Sequence, residues 1–198
     1  MNASKHRRCR LGRRRRLAKV IAASVFLGLW WGDCRVGRAD ESLSEYQVKA
    51  LCLYNFAKYV EWPADAFPEA KTPICIGVIG NNEFVDTLKT VVKSKAINGH
   101  PISIQPLKAE EDGRKCHVLF VSSSENKRLE EILQPVKSSP VLTVGEDGSF
   151  AQAGGIICFA VRSNKVRFDI DLAAASQARL QISSKLLSLA DAVRGKPR

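Results

Sequence analysis

The sequence predicts a single three-layer α/β domain, in which helices cover both faces of a mixed, mostly parallel sheet with a C-terminal β-hairpin. Two observations predict this fold. From residue 43 onward, short apolar runs alternate with amphipathic helical patterns, which is the order of strands and crossover helices. Later, the apolar runs 156–161 and 166–170 flank a short polar stretch, which indicates two antiparallel strands joined by a turn.

The first 39 residues predict a cleaved signal peptide. Eleven of the 31 Lys and Arg residues lie in this segment, around an apolar stretch at 20–31. A basic segment followed by an apolar run and small residues is typical of secretion signals, and the run is shorter than the ~20 residues that span a bilayer. Gly37 and Ala39 favour cleavage after Ala39. We therefore expect residues 40–198 to form a domain that is exported to an oxidising compartment.

The segment also contains partial features of two other export routes. A lipoprotein signal ending at Cys34 is disfavoured because Asp33 occupies the position of a small residue. A loose twin-arginine match at 14–19 leaves that route open.

The basic charge of the chain belongs to the predicted signal. The full chain carries a net charge of +11, but residues 1–39 hold eleven basic side chains and one acidic one. Residues 40–198 are therefore almost neutral. Nucleic-acid binding requires clustered basic groups on the working domain, so we expect no nucleic-acid partner.

The first helix is predicted from Ser42, whose spacing from Glu45 is that of a capping box. Apolar residues recur every three or four positions from Leu43 to Val60, until Pro63 ends the pattern. The apolar run 74–79 predicts a buried strand, after which Asn81 or Asn82 caps the second helix.

The remaining elements follow the same alternation. Strands are predicted at 102–107, 117–121 and 141–144, and a helix is predicted around 129–133. After the hairpin described above, a last helix is predicted to begin at Ser183 or Ser184 and to continue through Val193.

Serines 122–124 follow a predicted strand at the edge where open α/β sheets bind ligands. A serine nucleophile needs a positioned base, and the exported domain contains only His100 and His117. A hydrolase would require His117 to converge with these serines. Helix capping is the favoured interpretation.

Six residues are candidates for a ligand or partner surface. The end of the first helix carries more aromatic side chains than one buried stripe requires, and the paired carboxylates of a later strand share one face. The alternative for the carboxylates is an ordinary solvated face, which we favour. The candidates are Tyr54, Phe56, Tyr59, Trp62, Asp169 and Asp171.

Four cysteines remain after cleavage, and they allow three connectivities. Neighbouring parallel strands would bring Cys75 and Cys116 together, and such a bridge contributes roughly 3–4 kcal/mol. Cys52 lies in a helical pattern and is interpreted as a buried thiol. The histidines and cysteines show none of the paired spacings of zinc sites, so we expect no metal.

Several motifs in order carry a family resemblance. They are Tyr54-Asn-Phe-Ala-Lys-Tyr-Val-Glu-Trp-Pro63, Cys116-His-Val-Leu-Phe-Val-Ser-Ser-Ser124, Pro140-Val-Leu-Thr-Val-Gly145, Gly154-Gly155, Asn164-Lys-Val-Arg-Phe-Asp-Ile-Asp-Leu172 and Ile182-Ser-Ser-Lys-Leu-Leu187. From about Tyr46 to Val193, the chain resembles the YfiR-like family of bacterial periplasmic proteins.

The resemblance implies a regulator without a cofactor, not an enzyme. Its implied partner is the periplasmic sensor domain of an inner-membrane diguanylate cyclase, which the regulator represses. Release under envelope or redox stress raises cyclic di-GMP and biofilm formation. A homodimer stabilised by disulfides is also implied.

The resemblance also bears on the cysteines. Cys75 and Cys116 match the family's first disulfide. Cys158 matches one member of the second pair, but the other falls near Ala151, so that bridge cannot form and Cys158 is expected to be a free thiol. Asp171 replaces an expected Asn.

A second functional hypothesis is a small-ligand-binding protein. Its site would combine the aromatic end of the first helix with the carboxyl edge of the sheet.

Overall fold

The structure is a computed structural model that describes residues 43–69, 71–109 and 111–195. The predicted signal peptide, residues 1–39, lies outside this part of the chain. Within the described residues there are six α-helices: α1 Glu45–Tyr59, α2 Asn82–Val92, α3 Leu129–Leu133, α4 Asp147–Gln152, α5 Leu172–Gln177 and α6 Ser184–Leu187. None of the described helices is long and apolar enough to cross a membrane.

The described strands form one large sheet and one small one. Their bounds are β1 Val60–Glu61, β2 Ile74–Ile79, β3 Ala96–Ile97, β4 His100–Leu107, β5 Val118–Val121, β6 Leu142–Glu146, β7 Ile157–Arg162, β8 Lys165–Asp171, β9 Gln181–Ile182 and β10 Ala192–Arg194. The large sheet has the order β10-β8-β7-β6-β5-β2-β4-β3, and β1 pairs only with β9. Five neighbouring pairs of the large sheet are parallel, and β3–β4 and β7–β8 are antiparallel. The predicted mixed, mostly parallel fold is confirmed.

Two apolar layers enclose the middle of this sheet. Every residue of β2 and β5 is buried, because a strand in the centre of a parallel sheet is covered on both faces. The buried side chains of α1 and α2 pack on one face and those of α3 and α4 on the other. This gives the three layers that the sequence predicts.

Helix α1 begins two residues later than predicted. Its N-cap is Ser44, which exchanges capping-box hydrogen bonds with Gln47; the predicted box from Ser42 to Glu45 is therefore wrong. Ser44 and Gln47 have the same three-residue spacing as Ser42 and Glu45 and also satisfy the motif. Leu53 and Phe56 of this helix are buried in the core. Phe56 contacts Phe168, with ring centroids 4.7 Å apart, so α1 is fastened to the hairpin.

The hairpin is confirmed, but the predicted last helix is largely wrong. Ser163 and Asn164, both with positive φ, make the two-residue turn between β7 and β8. Helix α6 has only four residues, and β10 continues the sheet beyond the hairpin by pairing in parallel with β8. Pairing with β8 satisfies backbone groups of β10 that an exposed helix end would leave to water.

Candidate functional site

The carboxyl ends of β5 and β6 border a cavity of about 410 Å³. Ser122 and Ser123 follow β5, Glu146 ends β6, and Asp147 comes directly after it. The other lining residues come from the start of α1 and from β7: Glu45, Tyr46, Lys49, Phe159, Ala160 and Val161. Because open α/β sheets bind ligands outside the carboxyl ends of their strands, this cavity is the candidate site.

Lys49 is the buried charge of the cavity, with a relative exposure of 6%. Its Nζ lies 2.5 Å from a carboxylate oxygen of Glu146 and 2.5 Å from one of Glu45. The second oxygen of Glu146 accepts hydrogen bonds from the Ser123 backbone N–H at 2.9 Å and the Ser122 hydroxyl at 3.4 Å. The Lys49–Glu146 pair therefore ties α1 to the ends of two strands.

Both members of this pair are charged at neutral pH. Burial lowers the pKa of Lys49, but its hydrogen bonds to Glu146 and Glu45 outweigh burial and raise the pKa above its ordinary value. Burial raises the pKa of Glu146, yet the bonds from Lys49 and Ser123 lower it overall. The ammonium and the carboxylates compensate one another, so the arrangement is suited to holding elements together and to binding.

The serines and His117 lie at opposite ends of β5. Ser122 caps the 3₁₀ turn Ser123–Arg128 by accepting from the Ser124 N–H, which confirms the capping interpretation. His117 precedes the strand, so at about 3.3 Å per residue it is about 16 Å from Ser122. The convergence that a hydrolase of this kind requires is absent.

The aromatic candidates do not form one surface. Phe56 is buried in the core. The Tyr54 hydroxyl donates to the Ala96 carbonyl at 3.4 Å, whereas the Tyr59 ring lies under the Lys185 ammonium at 5.0 Å. Trp62 contacts another group of rings at the amino edge of the sheet. Because α1 directs these side chains towards different neighbours, they do not share one pocket; a ligand or partner surface that includes them stays a prediction.

Asp169 and Asp171 lie on the sheet face opposite α1. Phe168 and Ile170 belong to the core beneath α1, and successive strand residues point to opposite faces. Asp169 is only 7% exposed; it accepts two hydrogen bonds of 2.9 Å from Arg162 and a third of 3.2 Å from Arg194.

Asp171 has a structural contact of its own. It is the N-cap of α5 and accepts from the Ala174 N–H. Neither carboxylate lies with the aromatic candidates, and the solvated-face interpretation also fails for Asp169, because that side chain is buried and paired.

Cys75 and Cys116 are brought together, with their sulfur atoms 2.9 Å apart and unbonded. A disulfide has a bond length of about 2.05 Å, so the bridge stays a prediction. Their mutual hydrogen bond lowers the pKa of Cys75 and raises that of Cys116.

Burial raises the pKa of Cys158 to about 11, so this thiol stays protonated. Cys52, another thiol without a disulfide, is partly exposed.

No group of three or more His, Cys, Asp or Glu side chains that could hold a metal ion occurs among residues 43–69, 71–109 and 111–195.

Comparison with known proteins identifies the family of this chain. Residues 46–191 match the family described as YfiR/HmsC-like, which covers nearly all of the described domain. The chain belongs to the YfiR/HmsC-like family. Its fold is also similar to the crystal structure of a conserved domain protein from Vibrio cholerae, with a TM-score of 0.58 and 13% sequence identity. That match covers 77% of this chain and 61% of the Vibrio chain, and at this identity it supports the fold alone.

In this YfiR/HmsC-like domain, sequence reasoning missed Lys49 and Glu146. Lys49 stands three residues after Tyr46 and four before Leu53, so it lies on the buried face of the helix. A charge at such a position requires a counter-charge, and that signal could have identified Lys49. Glu146 carries no comparable signal, because its partner is 97 residues away in sequence.

We expect Lys49→Met to lower the free energy of unfolding by about 3–5 kcal/mol, because it leaves the Glu146 carboxylate buried and unpaired. Glu146→Gln should also destabilise the domain. The double variant should cost less than the sum of the two single changes, since Gln still accepts from Ser123 and no unpaired charge remains. Urea unfolding at pH 7 measures all three.

The control for this cycle is Lys89→Met, whose side chain is 56% exposed and should change stability by no more than about 0.5 kcal/mol. Additive losses in the double variant would contradict the coupling of Lys49 with Glu146.

We expect the oxidised, exported protein to contain two alkylatable thiols after denaturation, those of Cys52 and Cys158. Cys75→Ser should then lower stability by roughly 3–4 kcal/mol, because the bridge restricts the unfolded chain. Cys52→Ser is the matched control and should cost much less, since Cys52 is partly exposed. Four alkylatable thiols would contradict the predicted bridge.

Proposed function

We propose that residues 40–198 are released into the periplasm after cleavage behind Ala39, and that they bind and repress an inner-membrane signalling protein there. A diguanylate cyclase with a periplasmic sensor domain is the partner that family membership favours. In this proposal, release of the partner under envelope or redox stress raises cyclic di-GMP and promotes biofilm formation.

The single observation that carries the proposal is the family match over residues 46–191. The chemistry of the candidate site is consistent with a binding role. Its ammonium is already paired with carboxylates, and its first serine caps a turn. The domain outside the predicted signal is also nearly neutral, which suits a protein partner better than a polyanion.

We expect deletion of the gene to raise cyclic di-GMP, and the full-length protein to restore the lower level. A version without residues 2–39 is the matched control and should not restore it, because it would stay in the cytoplasm. In parallel, crosslinking in the envelope should attach the processed protein to a membrane protein with a periplasmic domain. An unchanged cyclic di-GMP level in the deletion strain would contradict the proposal.

A homodimer belongs to the same proposal. Light scattering of the purified, processed protein tests it, since a dimer has twice the mass of the processed chain. A monomer at micromolar concentration would remove this part of the proposal.

The cavity at the carboxyl edge favours small-ligand binding as a second candidate function. Its volume of about 410 Å³ falls in the range of small-molecule pockets, about 300–1,000 Å³. Tyr46 and Phe159 supply aromatic surface there, and Lys49 and Glu146 supply charge. This site lies at the carboxyl edge of the sheet, one of the two regions that the sequence suggested, but its lining does not include the aromatic end of α1.

We expect a thermal-shift screen of amino acids and aromatic metabolites to raise the unfolding midpoint for one compound class. At a ligand concentration 100 times Kd, the stabilisation is about 2.7 kcal/mol. The Lys49→Met/Glu146→Gln variant should lose this response, whereas Lys89→Met should keep it. A screen in which no compound shifts the midpoint would contradict this second function.

A further inference from the structure

His117 is held at the amino edge of the sheet by two hydrogen bonds that define its protonation. Its Nδ1 accepts from the Cys75 backbone N–H at 3.1 Å, and its Nε2 lies 3.1 Å from the Ala66 carbonyl oxygen. A carbonyl only accepts and a backbone N–H only donates. Nε2 must therefore carry the hydrogen and Nδ1 must be bare, so this arrangement requires a neutral imidazole.

The imidazole also holds a segment that we call the strap, residues 62–67. The ring of Phe67 stacks on His117 with centroids 4.6 Å apart and on His100 with centroids 4.5 Å apart. The Trp62 ring meets His117 edge-on at 6.3 Å. Together with the bond from Nε2 to Ala66, and because Nδ1 accepts from Cys75 of β2, these contacts link the strap to β2 through His117.

The strap has one ion pair as well, between Asp65 and Arg179 at 2.9 Å. Both side chains are more than half exposed, and exposed pairs contribute little to stability. Apart from the packing of Trp62 and Phe67 on the core and the stack of Phe67 on His100, the strap is held to the sheet by the His117 contacts.

We propose that His117 is an acid-sensitive latch, and that its protonation releases the strap from the sheet. A proton on Nδ1 would place an N–H donor against the N–H of Cys75, so that bond would be lost. The new charge would lie beside Trp62 and Phe67 in a site where His117 is only 9% exposed. Release of the strap returns the imidazolium to water, where it is stable.

The groups around His117 favour its neutral form. Burial lowers its pKa most, the bond to Ala66 opposes this effect, and the neighbouring His100 lowers the pKa further. The ionisable groups on the elements that contact His117 are His100, the thiols of Cys75 and Cys116, which hydrogen-bond to each other, and the carboxylate of Asp65, which is paired with Arg179.

The direction of the pH dependence follows from the lowered pKa. Above about pH 6.5 the imidazole is neutral whether the strap is closed or open, so the closed form is favoured. As the pH falls below about 6.5, only the open form binds the proton readily, and the open fraction rises about tenfold per pH unit until the pKa of the closed form is reached.

His100 is not subject to the same conflict. Its Nδ1 lies 2.8 Å from the Thr72 carbonyl oxygen and therefore carries the hydrogen of that bond. This bond, unlike the bond from Cys75 to His117, does not need a ring nitrogen without a hydrogen. His100 is consequently the matched control for His117.

The processed protein provides a specific probe of the strap. Trp62 is its only tryptophan, because Trp30 and Trp31 lie in the predicted signal peptide. Its only histidines are His100 and His117, so two imidazole resonances are expected in a proton NMR titration.

We expect the Trp62 emission of the processed protein to shift to longer wavelength between pH 8 and pH 4.5, with a midpoint below about 6.5, while the far-UV circular dichroism stays constant. His117→Asn should abolish the shift, since the Asn amide does not titrate, and His100→Asn should keep a pH-dependent shift, although it removes the ring that stacks on Phe67.

Three results would overturn the proposal. They are an emission spectrum that stays constant over this pH range, a shift that persists in His117→Asn, and a loss of circular dichroism that coincides with the shift, which would indicate global unfolding. If His117→Asn fails to fold, the NMR titration of the wild type decides instead. A His117 pKa above about 6.5 would overturn the proposal, and a lower value that tracks the Trp62 emission would support it.

Discussion

Burial of both faces of the central strands β2 and β5 is the constraint on which the rest of the structure depends. Every residue of these two strands is buried, so neither face can be left to water. Helices α1 and α2 must cover one face, and α3 and α4 the other. With both faces occupied by apolar packing, the buried polar chemistry around these strands is confined to the two edges of the sheet where they begin and end.

At the two edges of the sheet, buried polar side chains are stabilised in different ways. At the carboxyl edge, Lys49 and Glu146 compensate each other's charge and join α1 to β5 and β6. At the amino edge, His117 joins the strap to β2 through bonds that only an uncharged ring can make. The ion pair is stable around neutral pH because both pKa values move away from neutrality, whereas an imidazole has the ordinary pKa that lies nearest to physiological pH.

The sequence predicted the local elements well and the candidate site only in part. The run 74–79 and the Asn81 cap were located correctly because burial and capping are local signals. The serines after β5 were placed at the correct edge for the same reason. The sequence could not show that Tyr54, Phe56 and Tyr59 make separate contacts, because they are close in sequence but point in different directions around α1. The predicted helix through Val193 failed because the backbone of β10 pairs with β8.

The sequence by itself determined the fold class, the family and the order of the elements, since apolar periodicity and the motifs from Tyr54 to Leu187 are written in consecutive residues. Only the tertiary structure decided which charges meet. Lys49 and Glu146 are 97 residues apart, and His117 is 51 residues from Ala66. Contacts over such separations depend on how the strands are ordered in the sheet, and a periodic pattern along the chain contains no information about that order.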